Sequence, residues 1–150
     1  MLRLSKKADY ALMAMRHLAL QPGSSLTSAR EIAGQYDIPI ELMAKVLQRL
    51  VRSGLLVSTQ GTRGGYTLSR PSASISVGDV IQAIDGPFSV TACSLDNSDC
   101  EQYSKCSIRD PLWQIRERIA ATLGTVTIAE MAAENEAVPV PVAHAAVIRR

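Results

Sequence analysis

A mainly α chain with a small β-wing, arranged as a winged helix-turn-helix followed by a long helix able to pair with a partner, is predicted by three features. Two apolar-periodic segments are separated only by a tight turn at Asp37-Ile38-Pro39. A glycine-bounded hairpin, Gln60-Gly61-Thr62-Arg63-Gly64-Gly65, follows the second of them, and a further periodic segment opens at Asp110. Two helices joined by a short turn form a helix-turn-helix, and a hairpin beside them is a wing.

Each element has its own signal. From Ser5 to Leu20, Ala8, Ala11, Leu12, Met15, Leu18 and Ala19 recur at helical spacing until Pro22-Gly23 stops the segment. Ser28 and Glu31 form a capping box that opens a short helix through Gln35. Pro39 is placed to open the next helix, in which Ile40, Met43, Val46, Leu47, Leu50 and Val51 form an apolar stripe ended by Gly54. Leu55–Thr59 and Tyr66–Leu68 read as strands, and the three glycines between them supply positive φ for a tight hairpin that projects Arg63. Ser76 caps a helix through Ile84 that ends at Asp85-Gly86-Pro87. Asp110 is the expected cap of the long helix, with Pro111 at its first position and Leu112, Ile115, Ile119 and Leu123 on one face as far as Gly124. Thr127 and Glu130 form a second capping box for a last helix to about Glu134, and the Pro-interrupted remainder reads as a flexible tail.

Composition narrows the function. With 150 residues, 47% hydrophobic and 20% charged, the chain can bury an aliphatic core without disulfides, and aromatics are scarce at 4%. It carries no apolar run of membrane-spanning length and no leader-like N-terminus, so the expected location is the cytoplasm, without a membrane partner. Paired catalytic carboxylates, a nucleophile triad and a phosphate loop are all missing, which argues against an enzyme with a small-molecule substrate.

Charge is unevenly divided. Residues 1–70 hold ten Lys/Arg against four Asp/Glu and residues 71–150 hold six against ten, so +6 and −4 make up the net +2. A basic winged unit suggests a polyanionic partner, double-stranded DNA. Glu41, Lys45, Arg49 and Arg52 on the second helix of the motif, Arg30 and Lys6/Lys7 beside it, and Arg63 on the wing are the candidate contacts. Arg63 suits a narrow, A·T-rich minor groove. Taken singly, each is also an ordinary solvated charge; their coincidence with the motif is what favours DNA.

The three cysteines, Cys93, Cys100 and Cys106, lie in one acidic stretch with C-x6-C-x5-C spacing. In a reducing compartment clustered thiols are metal ligands or redox sensors rather than a structural bridge. Thiolates suit iron–sulfur clusters, zinc or copper(I), yet three are one short of a usual ligand set. A metal-free thiol switch, a zinc-dependent regulator and a protein-interaction module remain the alternatives.

The opening M-L-R-L-S-K-K-A-D-Y-A-L, the block I-A-G-Q-Y-D-I-P-I-E-L-M-A-K-V-L-Q-R-L-V-R-S-G-L-L, the wing G-T-R-G-G-Y-T-L-S-R-P, the segment I-S-V-G-D-V-I-Q-A-I-D-G-P and the late cysteines resemble the Rrf family of bacterial winged-helix transcription regulators. The similarity runs over roughly residues 1–134, includes regulators of the IscR and NsrR types, and at the opening is greatest to the branch controlling SUF iron–sulfur assembly. It implies a DNA-binding unit over 1–86, a cluster-binding loop over 87–109, a dimerisation helix and short C-terminal helix over 110–134, and a tail over 135–150. A homodimer on a palindromic operator, acting as a redox- or nitric-oxide-sensitive repressor, is implied as well. The cofactor it implies is an iron–sulfur cluster on Cys93, Cys100 and Cys106, 2Fe-2S ahead of 4Fe-4S. Where IscR-type relatives place a ligating histidine this chain has Arg109, and the remaining histidines, His17 and His144, are distant in sequence. NsrR-type relatives use an aspartate of the other subunit, which matches Asp9 here; Asp99, Glu101 and Asp110 are rivals. As a first-turn carboxylate, Asp9 would also favour the helix dipole alone.

Overall fold

The first helix, α1 (Lys6–Ala19), starts where the Ser5 hydroxyl accepts the Ala8 amide at 3.1 Å. The structure, a computed structural model, describes residues 3–23, 25–91 and 100–133. Ala8, Ala11, Leu12, Met15 and Leu18 form the buried stripe of α1. The predicted capping box opens α2 (Ala29–Gln35): the Glu31 amide donates to Ser28 Oγ at 3.2 Å and the Ser28 amide to Glu31 Oε2 at 2.7 Å. Asp37 turns the chain at φ 52°, a left-handed conformation that an aspartate tolerates better than most side chains. Pro39 then stands at the N-cap, one residue before the position expected of it, and α3 runs Ile40–Arg52. It buries Met43, Val46, Leu47 and Leu50 and leaves its other face in solvent.

Strands β1 (Leu56–Thr59) and β2 (Gly65–Leu68) pair antiparallel, Leu56 opposite Leu68 and Thr59 opposite Gly65. Thr27 and Tyr66 exchange both backbone hydrogen bonds, at 3.1 and 2.8 Å, which fastens the wing to the entry of α2. The hairpin glycines act differently from expectation. Gly61 has the positive φ, 117°, whereas Gly64 is needed for close approach: a Cβ on it would stand 2.1 Å from the Thr59 carbonyl oxygen.

Helix α4 (Val77–Asp85) is capped by Ser76 with Asp79 and buries Val77, Val80, Ile81 and Ile84. Helix α5 (Arg109–Thr125) departs from prediction at its start. Asp110 is inside the first turn, not at the cap; Ile108 occupies that position and supplies no side-chain bond. The reason is local: Arg109 Nε–H donates to Asp110 Oδ1 at 2.7 Å, so the carboxylate is turned to its neighbour. No residue of α5 is buried within the chain. Helix α6 (Ile128–Ala133) returns to the core, where Ile128 is fully buried, and Val77 N–H to Val126 O (2.8 Å) and Ile128 N–H to Ile75 O (2.9 Å) stitch it beside α4. Among the described residues no helix is long and apolar enough to cross a membrane.

Candidate functional site

The polar face of α3 is where the predicted cations meet. Because α3 buries one side only, Glu41, Lys45, Gln48, Arg49 and Arg52 are all exposed on the other. A groove of about 340 Å³ between α1, α3 and α4 gathers Lys7, Lys45, Arg49 and Arg52 around Leu42 and Ile84. A second, of about 400 Å³, lies between α3, the start of α2 and the wing, with Ser28, Gln48, Arg52, Gln60 and Gly61 in its walls. Gln48 borders both grooves. Charge counting could not find it because it is neutral, although it lies three residues after Lys45 and four before Arg52 on the same face. A glutamine there has the donor and acceptor pair that reads an adenine edge.

Arg30 lies exposed on α2 and Arg63 exposed between β1 and β2. Lys6 is exposed too, 3.9 Å from the Asp9 carboxylate and over the Tyr10 ring at 5.5 Å. Arg49 is engaged within the chain: its Nε–H donates to the Ala83 carbonyl at 2.9 Å. That carbonyl is in the last turn of α4, where no amide of the helix reaches it.

Of the thiol segment, Cys93 and Asp99 lie outside the described residues, as does His144. Cys100 is exposed and Cys106 half-buried, both as free thiols. The Cys100 carbonyl accepts the Tyr103 amide at 2.9 Å, a 3-10 turn covers Tyr103–Lys105, and Cys106 follows it. Arg109 lies over the Tyr103 ring at 4.7 Å and donates Nη1–H to the Tyr103 carbonyl at 3.3 Å. Its hydrogen bond to Asp110 holds that carboxyl below the usual carboxylate range; the same bond raises Arg109, with a smaller contribution from the nearby Cys106. Asp110 is therefore committed to a cation. His17 is held between the Tyr36 hydroxyl and Gln21, each at 3.2 Å. Among the described residues no three His, Cys, Asp or Glu side chains are grouped to hold a metal ion.

Along α5 and its flanks Ile108 (60% exposed), Ile115 (45%) and Val126 (38%) follow one helical stripe, while Trp113 is exposed on another face. Arg116 crosses to the preceding loop, donating Nε–H to the Phe88 carbonyl at 3.0 Å.

Comparison with known proteins bears on these surfaces. A family model described as Rrf2, iron-dependent transcriptional regulator, matches residues 4–134. The transcriptional regulator IscR of Vibrio cholerae serotype O1 is 31% identical over 140 residues, covering 93% of this chain and 80% of that one. Among solved structures, CymR (YrzC), the global cysteine regulator of B. subtilis, superposes with a TM-score of 0.71 at 28% identity over 91% of this chain and 100% of that chain. T. potens IscR gives 0.69 at 26% over 90% and 89%.

Proposed function

The chain belongs to the Rrf2 family of transcriptional regulators, and from that premise we propose that it is a cytoplasmic homodimer whose operator affinity responds to an iron–sulfur cluster on Cys93, Cys100 and Cys106. DNA binding is the property of the family; the observation that carries its placement is the basic groove along α3, with Lys7, Lys45 and Arg52 at its rim. In this reading α3 enters the major groove, Glu41, Lys45 and Gln48 face base edges, and Lys6, Arg30 and Arg52 meet phosphates. Arg63 enters the adjacent minor groove.

Dimerisation through α5 is supported by its exposed apolar stripe of Ile108, Ile115 and Val126, which the chain itself leaves in solvent. Two of the three proposed donors support this cofactor: Cys100 and Cys106 are free, partly accessible thiols, the soft ligands such clusters use. When bound, the cluster supplies a centre that oxidants and nitric oxide can change. The fourth ligand in this reading is the partner subunit's Asp9, whose 3.9 Å pairing with Lys6 is long and easily given up. Cys106 precedes α5 by only three residues, so its ligation fixes the start of the dimer helix. Control of cluster-assembly genes follows from the resemblance to IscR.

A second reading, a metal-free thiol switch, is supported by one observation: Cys100 and Cys106 are both free thiols, with Cys100 exposed to an oxidant. Anaerobic purification separates the two. Visible thiolate-to-iron absorption with stoichiometric iron and sulfide, lost in Cys106→Ala, is expected for the cluster. Colourless, iron-free protein whose DNA affinity changes with peroxide and recovers with dithiothreitol would establish the switch instead. Protein that shifts no operator fragment at low salt would defeat both.

A further inference from the structure

We propose that residues 83–88, at the end of α4, form a joint that passes the position of α5 to α3, with Arg49 and Arg116 acting as positioning residues rather than DNA contacts. The inference rests on α3 being the DNA-reading helix.

Three elements are tied to these six residues by side-chain bonds. From α3, Arg49 donates Nε–H to Ala83 O at 2.9 Å. From α5, Arg116 donates Nε–H to Phe88 O at 3.0 Å. At the start of α1, the Ser5 amide donates to Asp85 Oδ2 at 3.1 Å and its hydroxyl to Asp85 Oδ1. The segment is well suited to the task. Ile84, between the two tied positions, is buried and anchors it in the core. Gly86 then leaves the helix at φ 83°, and Pro87 fixes the next backbone torsion.

The Arg49 bond is not incidental surface geometry. Ala83 is in the last turn of α4, whose carbonyls have no amide of the helix to accept from once Gly86 turns the chain away, and its carbonyl accepts from Arg49, at the negative end of the helix dipole. With its Nε fixed there, the guanidinium holds α3 at a set distance from α4. On the other side, Gly78 lets α4 run against α5: a Cβ on it would lie 3.2 Å from backbone atoms of Leu123 and Gly124. A tilt of α5 therefore reaches Phe88 through Arg116, and the same short, rigid segment carries it to Arg49.

Salt dependence distinguishes positioning from phosphate contact, because each neutralised phosphate contributes about 0.9 to the slope of log affinity against log salt. Arg49→Gln and Arg49→Lys are each expected to weaken operator binding about tenfold with the wild-type slope, while Arg52→Gln lowers the slope by about 0.9. Lysine keeps the charge but not the planar Nε–H fork, so wild-type affinity in Arg49→Lys, or a slope lowered by about 0.9 in Arg49→Gln, would overturn the assignment. Amide hydrogen exchange on the DNA-free dimer tests the relay. Arg116→Gln should speed exchange about fivefold at residues 83–86 and within α3; a change confined to residues 88–91 and α5 would refute it. Arg116→Lys serves if the glutamine variant melts early. Wild-type protein that binds no operator would defeat the DNA reading alone, since the exchange measurement needs no DNA.

Discussion

Gly65 lies so close to Thr27 that a Cβ built on it would stand 2.7 Å from the Thr27 carbonyl oxygen. The two backbones are drawn together by the paired hydrogen bonds of Thr27 with Tyr66, so the wing and the entry to α2 behave as one body. Gly65→Ala must separate them by several tenths of an ångström. The expected loss is about 1–3 kcal/mol of unfolding free energy in urea melts, with weaker operator binding because wing and α3 no longer meet one duplex together. Unchanged stability would show that the wing attachment yields without cost.

The capping box of α2 gives a pH test. Hydrogen bonds from the Ser28 backbone and side chain hold Glu31 below the usual carboxylate range. A depressed folded-state value contributes stability that is present above the unfolded value, about 4.3 for glutamate, and is lost as pH falls through the folded one. Glu31→Gln can still accept the Ser28 amide but cannot titrate. Its stability curve should therefore be flatter than wild type on the acid side of that range. Ser28→Ala should cost about 1 kcal/mol at neutral pH. Parallel acid limbs for wild type and Glu31→Gln would exclude the linkage.

Much of this architecture could be read locally. Ser28 with Glu31, Ser76 with Asp79 and Thr127 with Glu130 are short-range pairs whose spacing specifies a helix start wherever they occur, and the stripes of α1 and α3 fix their buried faces. Lys7, Lys45, Arg49 and Arg52 were identifiable as basic; that they share one groove depends on how α1 and α4 pack against α3. The Asp110 expectation failed because the adjacent Arg109 competes for the carboxylate. The bond from Arg49 to Ala83 spans 34 residues and joins the last turn of α4 to another helix, which no local pattern signals. Gly64 and Gly65 looked like positive-φ residues, but the space each occupies is set by Thr59 and Thr27.

Arg63 belongs to the wing loop and is exposed. If it enters a narrow minor groove, its contribution depends on the flanking sequence and not only on charge. Arg63→Ala is expected to weaken binding about tenfold on an operator with A·T-rich flanks and much less when the flanks are G·C. Fluorescence anisotropy on the two duplexes at one salt concentration makes the comparison. Equal losses on both would assign Arg63 to a phosphate.

Asp9 distinguishes a shared ligand from a helix-dipole carboxylate. As the proposed ligand from the partner subunit, its replacement in Asp9→Ala should lower iron retention during anaerobic gel filtration at least about tenfold while leaving the apo-protein melt nearly unchanged, since its ion pair with the exposed Lys6, at 3.9 Å, is weak. Iron retention equal to wild type would return Asp9 to a role in α1 alone.

The stripe of Ile108, Ile115 and Val126 gives the dimer its test. A glutamate at Ile115 would place a charge in the middle of a contact that, if α5 pairs with its copy, is dry. Because each residue of a two-fold interface occurs twice, one substitution introduces two facing carboxylates. Ile115→Glu should sediment as a monomer at concentrations where wild type is dimeric. Within the monomer its fold should hold, since Ile115 is already 45% exposed there. Operator affinity should fall roughly a hundredfold, because two linked half-site contacts become independent ones. A dimer that survives this change would mean that α5 pairs through another face.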